Sequence, residues 1–216
     1  TLPSYGWKDV TSGTQLTESL GTAGKTEEWY LHVLASAISG ASTHEYKKFT
    51  FMNPAITAVS VREGNTVSSA DAADVWKPGK YIVVQYAGAQ STGTTLTFDG
   101  PKNGVKNIVS SSGSESLYVT ENGNYTITLT DNYGNVISKT IEVKKIDAKK
   151  PSVTIRSGSS TGEETIYNNL TLVVFPEDTG GSGIEKVEYA WSDTKGTPST
   201  WKILTADADG SYTAEY

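Results

Sequence analysis

The sequence contains no cysteine, only two histidines and a single methionine among its 216 residues. Without cysteine, the chain can form neither disulfides nor thiolate metal sites. Nucleophilic triads and zinc sites depend largely on cysteine and histidine, so we do not expect an enzyme. No pair of carboxylates stands in a context that predicts glycosidase chemistry either.

Long apolar runs and basic clusters are also missing. No run approaches the roughly 18 apolar residues that a membrane-spanning helix needs, so we do not expect this segment to cross a membrane. The net charge is -6, from 18 basic and 24 acidic residues. Adjacent basic residues occur only in short pairs, such as Lys47 with Lys48. Nucleic acid is therefore not an expected partner.

The residues that are abundant are typical of β-strands. Glycine, threonine and serine are frequent, and the recurring apolar residues are Val, Ile, Tyr and Trp. In residues 125–130, Tyr125, Ile127 and Leu129 alternate with threonines, which predicts a strand with one buried and one wet face. Asp131 follows in a turn, and residues 137–143 alternate again, so a hairpin is predicted.

The turn signals divide the chain into three parts. Residues 54–147 are predicted to form one complete antiparallel sandwich of about seven short strands. Within it, residues 68–76 are the one place for a helical turn, with Ser69 as its N-cap. The strands predicted for this part are residues 56–61, 80–86, 94–98, 116–120, 125–130 and 137–143.

The flanking parts look like fragments of the same unit. A Tyr-x-Trp-x-Asp motif occurs at residues 5–9 and again at residues 189–193. Residues 1–53, with strands at 29–34 and 48–51, are interpreted as the second half of a unit. Residues 148–216 are interpreted as the first half of another. We therefore expect a chain cut from a longer array, with its partial units completed by another copy or by each other. The back strands are predicted at residues 152–155, 169–175, 184–191, 200–204 and 211–216.

Two segments carry a resemblance to a known family. Residues 123–135 resemble the closing hairpin of bacterial immunoglobulin-like repeats, G-x-Y-x-[VI]-x-[VLA]-x-D-x-x-G-N. Residues 181–189 resemble the segment G-S-G-I-x-x-V-x-Y of the same repeats. The front segment departs from the pattern, with Ala37 in place of Asp and Ala41 in place of Asn. The resemblance implies an all-β protein made of tandem antiparallel immunoglobulin-like β-sandwiches.

The resemblance also implies a setting. Such repeats are non-catalytic spacers or adhesion regions in bacterial surface or secreted proteins, so an extracellular or cell-surface location is expected. The absence of cysteine favours a Gram-positive bacterium; a cytosolic protein that happens to lack cysteine is the alternative. Glycans, host surface proteins and neighbouring repeats are the implied partners. A second hypothesis is a carbohydrate-binding accessory region of a secreted glycoside hydrolase.

Tryptophans are the candidate ligand-binding residues. Trp76 and Trp201 lie beside turn residues and are predicted to be exposed, where they could stack on sugar rings. Trp191 alternates in phase with the apolar residues before it, so it is predicted to point into the core. Trp7, its partner in the repeated motif, is predicted to do the same.

Oxygen-rich turns are the candidate metal sites. Asp131 with Asn135 in one turn, and Asp178 in another, are possible calcium ligands, although turn capping is the simpler interpretation. No other cofactor is expected. Residues 207–210, Asp-Ala-Asp-Gly, are interpreted as a hairpin turn. His32 is predicted to face away from the core, and His44 to lie in a loop beside Glu45.

Overall fold

The computed structural model describes residues 8–10, 22–157, 162 and 170–215. Within these ranges the chain is all-β, with fourteen strands in antiparallel pairs and no helix. None of the described ranges therefore offers a helix long and apolar enough to cross a membrane. The prediction of a helical turn at residues 68–76 is wrong. The segment forms separate turns instead, in which Thr66 C=O accepts a hydrogen bond from Ser69 N–H and Asp71 Oδ1 accepts one from Ala73 N–H.

The described chain starts with a long hairpin, which we call the front hairpin. Its strands β1 (Lys25–Ser36) and β2 (Ser42–Asn53) pair antiparallel over all twelve residues, farther than the sequence predicted. The two strands contact mainly each other. A two-stranded ribbon buries little, and its large apolar side chains stay substantially exposed on both faces. These are Trp29, Tyr30, Leu31, Val33, Leu34, Tyr46, Phe49 and Met52.

The central unit, residues 55–147, contains seven strands. They form a three-stranded sheet in the order β3-β4-β7 and a four-stranded sheet in the order β6-β5-β8-β9. Of these seven, β6 is the strand that the sequence did not predict. The bounds are β3 (Ala55–Arg62), β4 (Lys80–Ala87), β5 (Thr94–Asp99), β6 (Gly104–Ile108), β7 (Ser112–Val119), β8 (Gly123–Thr130) and β9 (Val136–Val143).

The two sheets of the central unit share one apolar core. Tyr125, Ile127 and Leu129 of β8 are fully buried, as their alternation predicted. They belong to the same cluster as Ile82 and Val84 of β4, which lie in the other sheet. Each such side chain contributes about 1.5–3 kcal/mol on burial. The threonines on the opposite face of β8 form cross-strand hydrogen bonds to hydroxyls of β9.

Hydrogen bonds connect the segment that follows β9 to the start of β4. Lys80 is buried, and its Nζ donates a hydrogen bond of 2.5 Å to the Lys144 carbonyl. Burial, and then the charge of Lys145, lower the pKa of Lys80. The backbone of Lys77 donates to Lys145 C=O and accepts from Asp147 N–H. These bonds fix the position of Asp147, where the chain leaves the central unit.

In the back unit, residues 152–215, the described residues form five strands. A three-stranded sheet has the order β10-β11-β14, and β12 pairs with β13. All five lie where strands were predicted, but Trp191 is 42 % exposed, so its predicted burial is wrong in this structure. Trp7 lies outside the described residues. The bounds are β10 (Ser152–Arg156), β11 (Thr171–Glu177), β12 (Val187–Tyr189), β13 (Lys202–Leu204) and β14 (Tyr212–Glu215).

One form of turn occurs three times along the chain. It spans five residues in each part: 37–41, 131–135 and 207–211. In each turn the first N–H donates to the carbonyl of the fifth residue, and the glycine N–H donates to the carbonyl of the first. Gly40, Gly134 and Gly210 have φ values of 86°, 85° and 82°, which glycine adopts at little cost. The interpretation of residues 207–210 as a turn is therefore confirmed.

Candidate functional site

A groove of about 500 Å³ opens between the two sheets of the back unit. Trp201, which directly precedes β13, borders this groove and is 47 % exposed. Tyr189 of β12 also lines it, and Lys202 Nζ lies 5.9 Å from the centroid of the Tyr189 ring. An indole beside an open apolar groove can stack on a sugar ring or on another apolar group. The apolar walls come from both sheets: Val153, Ile155, Val174, Ile184, Val187 and Leu204.

Trp76 lies elsewhere, beside the passage between the central and back units. Its side chain is 42 % exposed and does not line the groove that Trp201 borders. A Cβ added at Gly181 would lie 3.6 Å from Trp76 Cη2, so the indole edge faces the backbone of the back unit. The structure therefore places the two candidate tryptophans at separate surfaces.

The loop at this passage is residues 178–183, which we call the junction loop. It contacts the central unit through Asp147, whose Oδ2 accepts hydrogen bonds from Ser182 N–H at 3.1 Å and from Ser182 Oγ at 2.6 Å. A Cβ at Gly180 would overlap the Asp147 carboxylate, so any larger residue there must displace that carboxylate from its present position. Together with Asp147, the loop forms a polar junction between the two units.

Asp178 holds the junction loop in shape from within. Its Oδ1 accepts a hydrogen bond from Gly180 N–H at 2.8 Å, and its Oδ2 accepts one from Gly183 N–H at 2.5 Å. These backbone donors lower the pKa of Asp178. The Ser182 hydroxyl, followed by the amides of Lys149 and Ser182, lowers the pKa of Asp147. Both carboxylates therefore stay ionised at neutral pH and keep accepting these bonds.

The candidate calcium ligands fall into two groups. Asp131 and Asn135 meet in the β8–β9 turn, where Asp131 Oδ1 accepts from the N–H groups of Tyr133 and Asn135, and its Oδ2 accepts from Asn135 Nδ2. Asp178 lies in the junction loop, bonded to backbone amides. Among the described residues, no group of three or more His, Asp or Glu side chains is arranged to hold a metal ion. Turn capping accounts for the geometry that is present.

The two histidines meet on one face of the front hairpin. His44 lies in β2 and not in a loop, so that prediction is wrong. His32 Nδ1 lies 3.0 Å from His44 Nε2, the distance of a hydrogen bond in which one ring donates the proton. Tyr30 and Tyr46 flank the pair, with ring centroids 6.4 and 5.7 Å from that of His32. The pair was missed because its formation depends on the register of the hairpin.

No family model matches the sequence, and no curated protein matches it significantly. The features that bear on function are therefore the strand order of the units, the junction and the groove.

Proposed function

We propose that the chain is a non-catalytic part of a bacterial surface or secreted protein, in which tandem immunoglobulin-like sandwiches serve as a structural spacer or adhesion region. Residues 54–147 are one complete domain. Residues 1–53 supply the end of a preceding repeat, and residues 148–216 supply the start of a following one. The location is extracellular or at the cell surface of a Gram-positive bacterium.

The interior of the central unit supports the immunoglobulin-like assignment. Three- and four-stranded antiparallel sheets over one core fit a seven-stranded sandwich. Tyr125 lies near the start of β8, the next-to-last strand of the unit, and its hydroxyl donates to the Glu121 carbonyl at 3.0 Å. A tyrosine at this position, hydrogen-bonded to backbone a few residues upstream, recurs in immunoglobulin-like domains.

The observation that carries the spacer function is the junction. Domains joined by a short linker normally move relative to one another. Here Asp147 lies in the central unit and accepts two hydrogen bonds from Ser182 of the back unit. Pro151 stiffens the linker between them. A fixed orientation between successive units is what a spacer needs in order to project whatever is attached to it.

Replacing Gly180 with alanine tests this function. The added Cβ overlaps Asp147, so we expect the junction to open and the relative motion of the two units to increase. Spin labels attached at Lys139→Cys and Lys195→Cys report the distance between the two units. No other position is labelled, because the chain has no native cysteine. Double electron–electron resonance should give a narrow distance distribution for the parent chain and a broad one for Gly180→Ala.

A control variant and a pH series complete the spin-label experiment. Gly196→Ala, in an exposed loop of the back unit where a Cβ meets only ordinary contacts, should leave the distribution narrow. The carboxyl pKa values of Asp147 and Asp178 are lowered in the fold, so their contribution is present above their usual pKa and is lost as the pH falls through the lowered values. The parent distribution should therefore broaden only below about pH 4. A broad distribution at neutral pH in the parent chain would refute the rigid spacer.

The Trp201 groove favours a second function, carbohydrate binding in a secreted glycoside hydrolase. On this hypothesis, a glycan screen of the parent chain finds a saturable ligand, and Trp201→Ala weakens its binding by about 1–2 kcal/mol or more. Trp201→Phe should retain part of the affinity, because an aromatic face remains. Trp76→Ala is the matched control, since Trp76 lies at the junction. Equal losses for Trp201→Ala and Trp76→Ala would exclude the groove as the binding site.

A further inference from the structure

The outer face of the sheet β3-β4-β7 in the central unit carries a row of large polar side chains. Ile82 of β4 belongs to the core, so its neighbour Tyr81 lies on the opposite face of the sheet. In the strand register Tyr81 pairs with Arg62 of β3 on one side and with Tyr118 of β7 on the other. The row therefore crosses all three strands, over about 10 Å.

Two tyrosines form the centre of this row. The ring centroids of Tyr81 and Tyr118 lie 4.9 Å apart, and their planes are inclined by 52°. A Cβ added at Gly79 would overlap the Tyr118 hydroxyl, so this end of the ring lies against the backbone of Gly79. Tyr118 nevertheless remains 40 % exposed. An aromatic pair that is held in place and open to solvent is a surface on which a sugar ring can stack.

A cation stands at each end of the row. Lys102 Nζ lies 5.8 Å from the centroid of the Tyr118 ring. At the other end, Arg62 Nε donates a hydrogen bond to Ser60 Oγ at 3.1 Å, and Arg62 Nη1 donates one to Ser69 C=O at 3.3 Å. These bonds hold the guanidinium in one orientation and use two of its five N–H donors.

The two cations have no acidic partner in the part of the chain that the structure describes. No carboxylate there forms an ion pair with Arg62 or Lys102. The neighbouring Lys77, in contrast, is paired with Glu63 at 2.9 Å. The carboxylate of Asp71, whose backbone bridges to Arg62, accepts a hydrogen bond within its own turn. In a chain with a net charge of -6, this face therefore has a local excess of positive charge.

We propose that this face binds an acidic polysaccharide in which every second sugar carries a carboxylate. A neutral sugar ring stacks on Tyr81 and Tyr118. The carboxylates of the two sugars beside it pair with Arg62 at one end of the row and with Lys102 at the other. The planar guanidinium suits a carboxylate, which it can bind through two parallel hydrogen bonds. This inference rests on the proposed adhesion function and gives it a class of ligand.

The surroundings of the row favour a polysaccharide over a single-stranded nucleic acid, which also combines rings with negative charge. A nucleic acid carries a phosphate at every nucleotide, and its binding needs many cations, whereas this row offers two. The next side chains on the same face are neutral and polar. Ser116 pairs with Val83, and Ser114 pairs with Gln85. Hydroxyl and amide groups can hydrogen-bond to the hydroxyls of a sugar chain.

Calorimetric titration of the 216-residue chain with hyaluronan oligosaccharides tests the stacking surface. We expect saturable binding that Tyr118→Ala weakens by about tenfold or more, because the sugar loses its aromatic contact. Gly79→Ala should also weaken binding, since the added Cβ displaces the Tyr118 ring. Tyr133→Ala is the matched control, because Tyr133 is 75 % exposed in the β8–β9 turn, away from this sheet. Equal losses for Tyr118→Ala and Tyr133→Ala would overturn the proposal.

The contribution of the cations is measured in the same titration. Arg62→Gln should weaken hyaluronan binding by about tenfold, and Arg62→Lys should recover only part of the loss, because an ammonium keeps the charge without the planar fork. Lys102→Gln should reduce the dependence of binding on sodium chloride concentration. Circular dichroism of each variant confirms that the sheet remains folded. If Arg62→Gln and Lys102→Gln bind as the parent chain does, the positive charge of this face has no role in binding.

Three comparison ligands decide the chemical class. Neutral chitin oligosaccharides of the same length should bind at least about tenfold more weakly than hyaluronan. Equal binding of the neutral sugar, tighter binding of a heparin oligosaccharide or of single-stranded RNA, or no binding of hyaluronan would each refute the proposal. A loss of hyaluronan binding in Trp201→Ala would place the ligand in the groove of the back unit instead. A chain that binds no hyaluronan but gives the narrow spin-label distribution remains a rigid spacer, so the two proposals fail separately.

Discussion

Replacing Tyr125 with alanine is expected to lower the free energy of unfolding of the central unit by about 3–5 kcal/mol. The ring is fully buried in β8, at the centre of the core shared by the two sheets. Its removal leaves a cavity that the rigid strands cannot close, and it leaves the Glu121 carbonyl without the hydroxyl that bonds to it. Urea denaturation followed by circular dichroism measures the loss, because the central unit contributes most of the core.

Two control variants separate the causes. Tyr125→Phe keeps the ring and removes only the hydrogen bond, so it should cost about 1 kcal/mol. Tyr133→Ala, in the exposed turn after β8, removes an equally large side chain that is 75 % exposed, and it should change stability by no more than about 0.5 kcal/mol. If Tyr125→Ala and Tyr133→Ala cost the same, the ring of Tyr125 is not the core residue that the structure shows.

The dependence of stability on alkaline pH is a second test of the burial of Tyr125. Burial, followed by the negative charge of Glu121, raises the pKa of this phenol in the folded protein. The unfolded chain therefore ionises first, so the stabilising contribution is full below about pH 10 and is lost as the pH rises through the folded pKa. The parent chain should lose stability above about pH 10 more steeply than Tyr125→Phe.

The sequence predicted the strands well where alternation was strong. In residues 125–130 every second side chain is apolar, and β8 buries those residues completely. Alternation is a local signal, so it needs no knowledge of the neighbouring strands. In β6, only Ile108 is buried and Val105 is 66 % exposed. That strand was missed because a weakly alternating edge strand resembles a loop.

Predictions that depended on distant residues were less successful. Trp191 follows the same alternation as Val187, yet it is 42 % exposed. In the part of the chain that the structure describes, β12 pairs only with β13, and alternation does not report how many neighbours a strand has. Asp147 carried no signal, since its partner Ser182 is 35 residues away in a loop rich in glycine. Residues 68–76 have helical composition, but the segment is bonded back to the end of β3, where Val61 C=O accepts a hydrogen bond from Ala72 N–H and Asp71 forms a bridge with Arg62. Periodicity reports the burial of a strand and not the identity of its partner.

Replacing Asp131 with alanine is expected to destabilise the central unit by about 2–3 kcal/mol, because its buried carboxylate accepts three hydrogen bonds from the β8–β9 turn. Asp131→Asn keeps one side-chain oxygen and should lose about half as much. Urea denaturation in calcium and in chelator decides between the two interpretations of this turn. Because both carboxylate oxygens already accept hydrogen bonds, we expect the same loss in both solutions. Calcium that stabilises the parent chain but not Asp131→Ala would instead identify the turn as a calcium site.

The front hairpin offers the reverse experiment. Its turn has the same backbone hydrogen bonds but carries Ala37 where the β8–β9 turn carries Asp131. Ala37→Asp should therefore supply the missing acceptor for the turn amides and stabilise the hairpin by about 1 kcal/mol. Slower hydrogen exchange of the β1 and β2 amides would measure that gain. If exchange is unchanged while Asp131→Ala still destabilises the central unit, then the carboxylate stabilises the turn only where the core buries it, as it does at Asp131 with 6 % of its surface exposed.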